Sequence, residues 1–180
     1  MGADIVNNQT ISIQEFSTKI HAIWNDGWFI LTAGDFSEQK FNSMTISWGS
    51  MGTMWNKPFV QVVVRPTRFT LGFMDSSPDF TICAFPEKYR KALNLLGAKS
   101  GRDGDKVKES GLTPCKSSLV ASPSYIDANL VIECRKIYTD IFKPQGFIDS
   151  TIEKHYHLGD YHRIFFGEVL TIRGDKTLYS

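Results

Sequence analysis

Apolar and polar residues alternate from Asn42 to Trp48. Met44, Ile46 and Trp48 fall on one face of an extended strand, and Ser43, Thr45 and Ser47 on the other. The small residues Gly49 to Met54 read as a turn. Trp55-Asn56-Lys57-Pro58 then leads into a second strand, Phe59 to Val64. Upstream, Ser12 and Glu15 have capping-box spacing before Phe16, Ile20 and Ile23, which predicts a short helix. Asn25-Asp26-Gly27 predicts a turn, Trp28–Thr32 a strand, and Ala33-Gly34-Asp35 the start of a loop to Asn42.

Downstream, Phe69 to Asp75 reads as helical or irregular, and Phe80 to Phe85 as a strand. Pro86-Glu87 opens a helix through Tyr89, Ala92, Leu95 and Leu96, with Gly97 at its end. A loop covers residues 101–106, and a helical turn from Val107 stops at Gly111. The second half predicts strands over 117–121, 126–141 and 162–172, with a break at Lys143-Pro144-Gln145-Gly146 and one helical turn over 149–153. Gly167 marks a bend or bulge. About seven strands follow one another without regular helix alternation, which favours a mainly β antiparallel barrel over a doubly wound sheet.

The chain has 180 residues, enough for one domain with a substantial core, and no repeat divides it. Residues 1–27 form an N-terminal helical segment in this reading, and residues 143–160 a loop insertion before the last strand. Net charge is +1, so no broad pull toward nucleic acid or membrane is expected. No export signal or long apolar run is present, and the reading is a soluble cytoplasmic protein. Cys83, Cys115 and Cys134 lack the spacing of a disulfide framework or a zinc site. His155, His157 and His162 fit no common metal pattern, so no metal is expected; of the three, His162 begins a buried strand and can turn toward a site. Dinucleotide, phosphate-loop and nucleophile-elbow motifs are absent, and Gly97 to Arg102 lacks the ending of a phosphate loop.

The residues that remain suggest a ligand. Arg65, Thr67, Arg68 and Thr70 follow the second strand, and guanidinium forks with hydroxyls suit a phosphate. Thr67 is expected to cap the turn that follows Pro66. The hydroxyl-rich edge ending on Trp48 suits a flat heteroaromatic ring.

Asn42-x-Met44-Thr45-Ile46-x-Trp48, then Arg65-x-x-Arg68-x-Thr70, Phe80-Thr81-Ile82, Ser100-Gly101-Arg102-Asp103-x-x-Lys106 and Gly159-Asp160-Tyr161-His162-Arg163 with Gly167-Glu168-Val169 together resemble the flavin-reductase-like family of FMN-binding split barrels, in its flavoredoxin-like branch. The likeness runs from about Trp28 to Leu170. It implies a homodimeric six-stranded antiparallel Greek-key split barrel with FMN near the dimer interface. It also implies an oxidoreductase that takes electrons from NADH or NADPH; the alternative is an electron carrier reduced by a protein partner. By this resemblance the stretch Asn42, Ser43, Met44, Thr45, Ile46, Ser47 and Trp48 runs along the flavin, with Asn42, Thr45 and Trp48 beside the ring and ribityl chain. Arg68 and Thr70 match the phosphate side, with Arg65 and Thr67 as neighbours. Ser100 and Lys106 match the loop that approaches the flavin, and His162 and Phe166 the strand that closes the site. Each residue also has a plainer role: Trp48 as core, Arg65 paired with a surface carboxylate, Lys106 as a solvated lysine.

Overall fold

The computed structural model describes residues 8–180, so residues 1–7 of the expected N-terminal segment lie outside the described residues. Among the described residues there are ten strands, in chain order β1 Asn8–Ile11, β2 Phe29–Asp35, β3 Lys40–Ile46, β4 Gly49–Met54, β5 Lys57–Val64, β6 Asp79–Ala84, β7 Pro114–Cys115, β8 Ser124–Tyr125, β9 Leu130–Ile141 and β10 Arg163–Asp175. The helices are α1 Ile20–Ala22, α2 Thr70–Ser76, α3 Arg90–Ala98, α4 Lys106–Ser110 and α5 Lys176–Tyr179. Eight strands form one antiparallel sheet in the order β3-β2-β6-β9-β10-β5-β4, with β1 also on β10. The expected six strands are therefore eight. No helix among the described residues is long and apolar enough to cross a membrane.

Alternation builds the core. Phe29, Leu31 and Ala33 of β2, Met44 and Ile46 of β3, Val60, Val62 and Val64 of β5, Phe80 and Ile82 of β6, and Ile132 of β9 all converge in one cluster. Strands from opposite ends of the sheet path share that cluster, so the sheet is rolled and open between the end of β3 and the end of β5. The other face of β2, β6 and β9 is not solvated. Ile30, Cys83 and Val131 pack there under Leu93 and Leu96 of α3, Val107 of α4, and Tyr125. Fully burying a leucine is worth about 1.5–3 kcal/mol relative to exposing it, so two from α3 seat that helix firmly.

Several expected boundaries move. Ser12 and Glu15 do close a reciprocal capping box, but it holds a single turn, and α1 begins only at Ile20. The expected loop from Ala33 is strand up to Asp35, and β3 starts at Lys40. The expected turn over 49–54 is strand β4. Its hairpin to β5 turns instead on Trp55 and Asn56, whose φ angles of 54° and 57° suit a turn that matches sheet twist. No strand forms over 117–121. Its backbone donors are taken by carboxylates: Ser118 and Leu119 N–H donate to Glu133, and Ala121 and Ser122 N–H to Asp79. β9 begins at Leu130 rather than 126, and β10 shifts register between Phe166 and Gly167, as the glycine suggested. α3 runs past Gly97 to Ala98.

Candidate functional site

The opening of the barrel holds a cavity of about 220 Å³ lined by Met44, Thr45, Ile46, Ser47 and Trp48 on one side and Val63, Arg65, Arg68 and His162 on the other. Among the described residues β3 ends the sheet and pairs only with β2, so its outer edge leaves backbone N–H and C=O groups without a strand partner along one wall. A flat molecule with acceptors and donors on its rim can pair with such an edge. Trp48 lies just past the end of β3 and is 45% exposed, so it is not core. His155 meets it edge-on at 5.4 Å between ring centroids, and His162 is tilted against it at 5.3 Å.

A second cavity of about 190 Å³ adjoins the first through Arg68. Thr67, Phe69, Thr70, Ala98, Lys99, Ser100 and Lys106 line it as well. Its cations are held by the end of α3. Arg68 Nη2 donates to Gly97 O at 2.6 Å; Lys106 Nζ donates to Leu96 O at 2.9 Å and to Lys99 O at 3.0 Å. Helix C-termini favour positive charge, which explains why two cations collect there. Lys106 is 2% exposed. Burial and then the Arg68 charge bring its ammonium down to about 8, and burial lowers Arg68 too. The expectation of a solvated lysine is thus overturned. Thr70 is buried and accepts from Asn42 Nδ2 at 2.7 Å.

Arg65 serves the opposite rim. Nη1 pairs with Asp160 at 2.7 Å, Nη2 donates to His155 O at 2.8 Å, and the guanidinium lies 5.3 Å from the Tyr156 ring centre. It thereby fastens the segment 155–160 beside Trp48. Tyr156 OH and His162 Nδ1 are 2.8 Å apart. Burial, then the nearby Arg65, hold the His162 imidazole down at about 4.

Residues 25–180 match the family model described as the flavin reductase like domain. The chain belongs to the flavin reductase-like family. No curated protein matches the sequence. Among solved structures, this flavin reductase-like chain is similar to an FMN-binding domain of flavin reductases-like enzyme from Shewanella baltica, with 16% identity, 96% of this chain and 80% of that chain covered, and a TM-score of 0.69. Flavoredoxin of Desulfovibrio vulgaris gives 19% identity, coverage of 94% and 78%, and a TM-score of 0.65. Nitrilotriacetate monooxygenase component B from Bacillus cereus gives 18%, 96% and 84%, and 0.66. At these identities the likeness shows the fold, a split barrel.

In this flavin reductase-like domain the cavities gather most of the residues singled out from the sequence: Met44, Thr45, Ile46, Ser47, Trp48, Arg65, Arg68 and His162 in one, and Thr67, Arg68, Thr70, Ser100 and Lys106 in the other. Three stand apart. Ser43 lies behind the sheet, bonded to Thr32 and Tyr125. Asn42 faces a wider cavity of about 770 Å³ on the far side of Lys106. Phe166 packs against Trp55, Phe59 and Tyr138, away from the opening. α2 has no side-chain cap, so Thr67 does not play the expected capping role. Val63, His155, Tyr156 and Asp160 were missed. The dense run of aromatics and histidines from 155 to 162 is the signal for the last three, while Val63 leaves none beyond its place in an apolar strand. Among the described residues no cluster suited to a metal occurs.

Proposed function

We propose that this domain binds FMN across the two cavities and works as a cytoplasmic NAD(P)H-dependent flavin oxidoreductase. The observation that carries the reading is the continuity at Arg68. A slot walled by a free strand edge and an indole runs into a pocket lined by three cationic side chains, Arg68, Lys99 and Lys106, and three hydroxyls.

The residues fit the group. The backbone at the end of β3, from Thr45 through Ser47 just past it, can pair with the polar rim of an isoalloxazine, and Trp48 offers its indole. Arg68, Lys106, Thr67 and Ser100 suit the phosphate, because charged donors in a partly desolvated pocket bind anions strongly. When bound, the flavin supplies the redox chemistry, accepting hydride from a nicotinamide and passing electrons to an acceptor. This chain's residues bind, orient and exclude water; none is needed as a nucleophile. Lys106 adds positive charge to the phosphate side of the site. Arg65 is committed to Asp160 and positions the rim rather than the phosphate.

A second copy completes the unit in this reading. Met54, Trp55 and Tyr138 are exposed at the β4–β5 hairpin, which is more apolar surface than a hairpin tip needs.

The test is spectral. The purified protein should carry a flavin absorbance band, or acquire one with added FMN. Under anaerobic conditions NADH or NADPH should bleach it within seconds. A flavin-loaded protein inert to both nucleotides would instead be an electron carrier. A protein that takes up no FMN would refute both.

A further inference from the structure

We propose that Tyr156 locks His162 as a neutral imidazole whose Nε2–H is a fixed hydrogen-bond donor into the cavity at the barrel opening. Tyr156 is then a positioning residue, and the slot selects a flat ligand that brings an acceptor, such as a ring carbonyl or unprotonated ring nitrogen, to that point. The ligand part of this inference rests on the FMN reading; the lock itself does not.

Tyr156 is 5% exposed and His162 is 7% exposed. The Tyr156 hydroxyl stands 2.8 Å from His162 Nδ1, its one side-chain partner among the described residues. One of the two groups must donate. If Nδ1 carried the proton, the phenolic hydrogen would be left without an acceptor in a buried place, at a cost of about 1–3 kcal/mol. Burial also raises the phenol, so Tyr156 keeps its proton. The hydroxyl therefore donates, Nδ1 accepts, and the imidazole proton sits on Nε2.

The neighbours agree. Asp160 is the acid that would draw His162 toward a cation, but Arg65 holds that carboxylate at 2.7 Å. Arg65 itself disfavours a charged imidazole. Trp48 and His155 complete the surroundings. Tyr156 does not line the cavity, while His162 does. Nε2 has no protein partner among the described residues and is not one of the buried unpaired atoms, so it keeps some exposure, and His162 is one of the residues lining the cavity.

The test uses the full chain. A long-range proton–nitrogen correlation spectrum of the ligand-free protein should show His162 as the Nε2–H tautomer, unchanged between about pH 6 and pH 8. The signal is assigned by its loss in His162→Gln. Tyr156→Phe keeps the ring packing and should release the tautomer to a mixture. FMN affinity should then fall in proportion to the rings that lose the Nε2–H form, about twofold for an even mixture. Adding His162→Gln to Tyr156→Phe supplies an amide donor of fixed identity and should recover most of that loss. An Nδ1–H tautomer or an imidazolium in the wild type overturns the proposal, as does an unchanged tautomer in Tyr156→Phe. If that variant fails to fold, the wild-type spectrum still decides. A wild type that binds no FMN but shows the locked tautomer supports the lock and removes the flavin assignment.

Discussion

The Lys106 ammonium is held 2.9 Å from the carbonyl oxygen of Leu96, inside a shell that leaves it almost no contact with solvent. Burial lowers its proton affinity from 10.5 to about 8. Between those values the unfolded chain keeps a proton that the folded chain has released. Stability carried by this group therefore rises with pH across that window. A phosphate in the adjoining pocket favours the ammonium and opposes the release. FMN affinity should accordingly weaken as pH rises past about 8, with riboflavin affinity level over the same range. Titrations of both flavins near pH 7 and pH 9 check this, and Lys106→Met should flatten the FMN-to-riboflavin ratio.

Arg68 joins the two cavities, and its substitution should separate phosphate recognition from ring recognition. Two or three charge-assisted contacts at about 1.5–3 kcal/mol each, partly offset by desolvation, should favour FMN over riboflavin by about a hundredfold. Arg68→Ala should remove much of that preference and leave riboflavin nearly unaffected. Isothermal titration with the two ligands reads the difference. Equal losses for both would move the phosphate elsewhere.

Trp48 carries the opposite expectation to a core tryptophan. Truncating a buried tryptophan costs about 3–5 kcal/mol, but this indole is 45% exposed. Trp48→Ala should leave the melting temperature of the flavin-free protein nearly unchanged, weaken FMN binding and brighten the fluorescence of whatever flavin stays bound. A large drop in melting temperature with unaltered affinity would assign Trp48 to stability alone.

Gly167 is a packing requirement. A Cβ there would lie 2.5 Å from Phe80 Cζ and 2.7 Å from Cys134 Cβ. Gly167→Ala should cost at least the roughly 1–3 kcal/mol typical of an overpacked core, seen as a lower denaturant midpoint.

Light scattering should find a mass about twice the 20.4 kDa of one chain. Trp55→Glu, placed where the β4–β5 hairpin exposes its indole, should return the monomer. A monomeric wild type at micromolar concentration with FMN bound would remove the second copy from the proposed unit.

The sequence made the barrel legible because strands such as Phe29–Asp35 and Phe59–Val64 are strongly apolar and β-branched. β4 was not legible: Gly49, Ser50 and Gly52 dilute its pattern, and its turn uses Trp55-Asn56 where glycine is usual. The alternation in β3 was read correctly, but its polar side was not solvent. Ser43 and Thr45 meet a second layer, through Tyr125 and the backbone of Leu93. Lys106 hid for a different reason. Its partners are backbone carbonyls at the end of α3, which leave no trace in side-chain identity. Arg65 could be read as an ion-paired residue, yet its carboxylate, Asp160, lies 95 positions away, and only the fold brings them together.

The free edge of β3 has a cost when nothing lies along it. An unpaired row of strand groups is a template for any other extended chain, and proteins normally guard such edges. In the proposed reading the guard along this edge is the flavin rather than a charge or a proline. Protein made faster than flavin is supplied therefore carries an adhesive seam. Its solubility, not only its colour, should track the vitamin available to the cell that makes it.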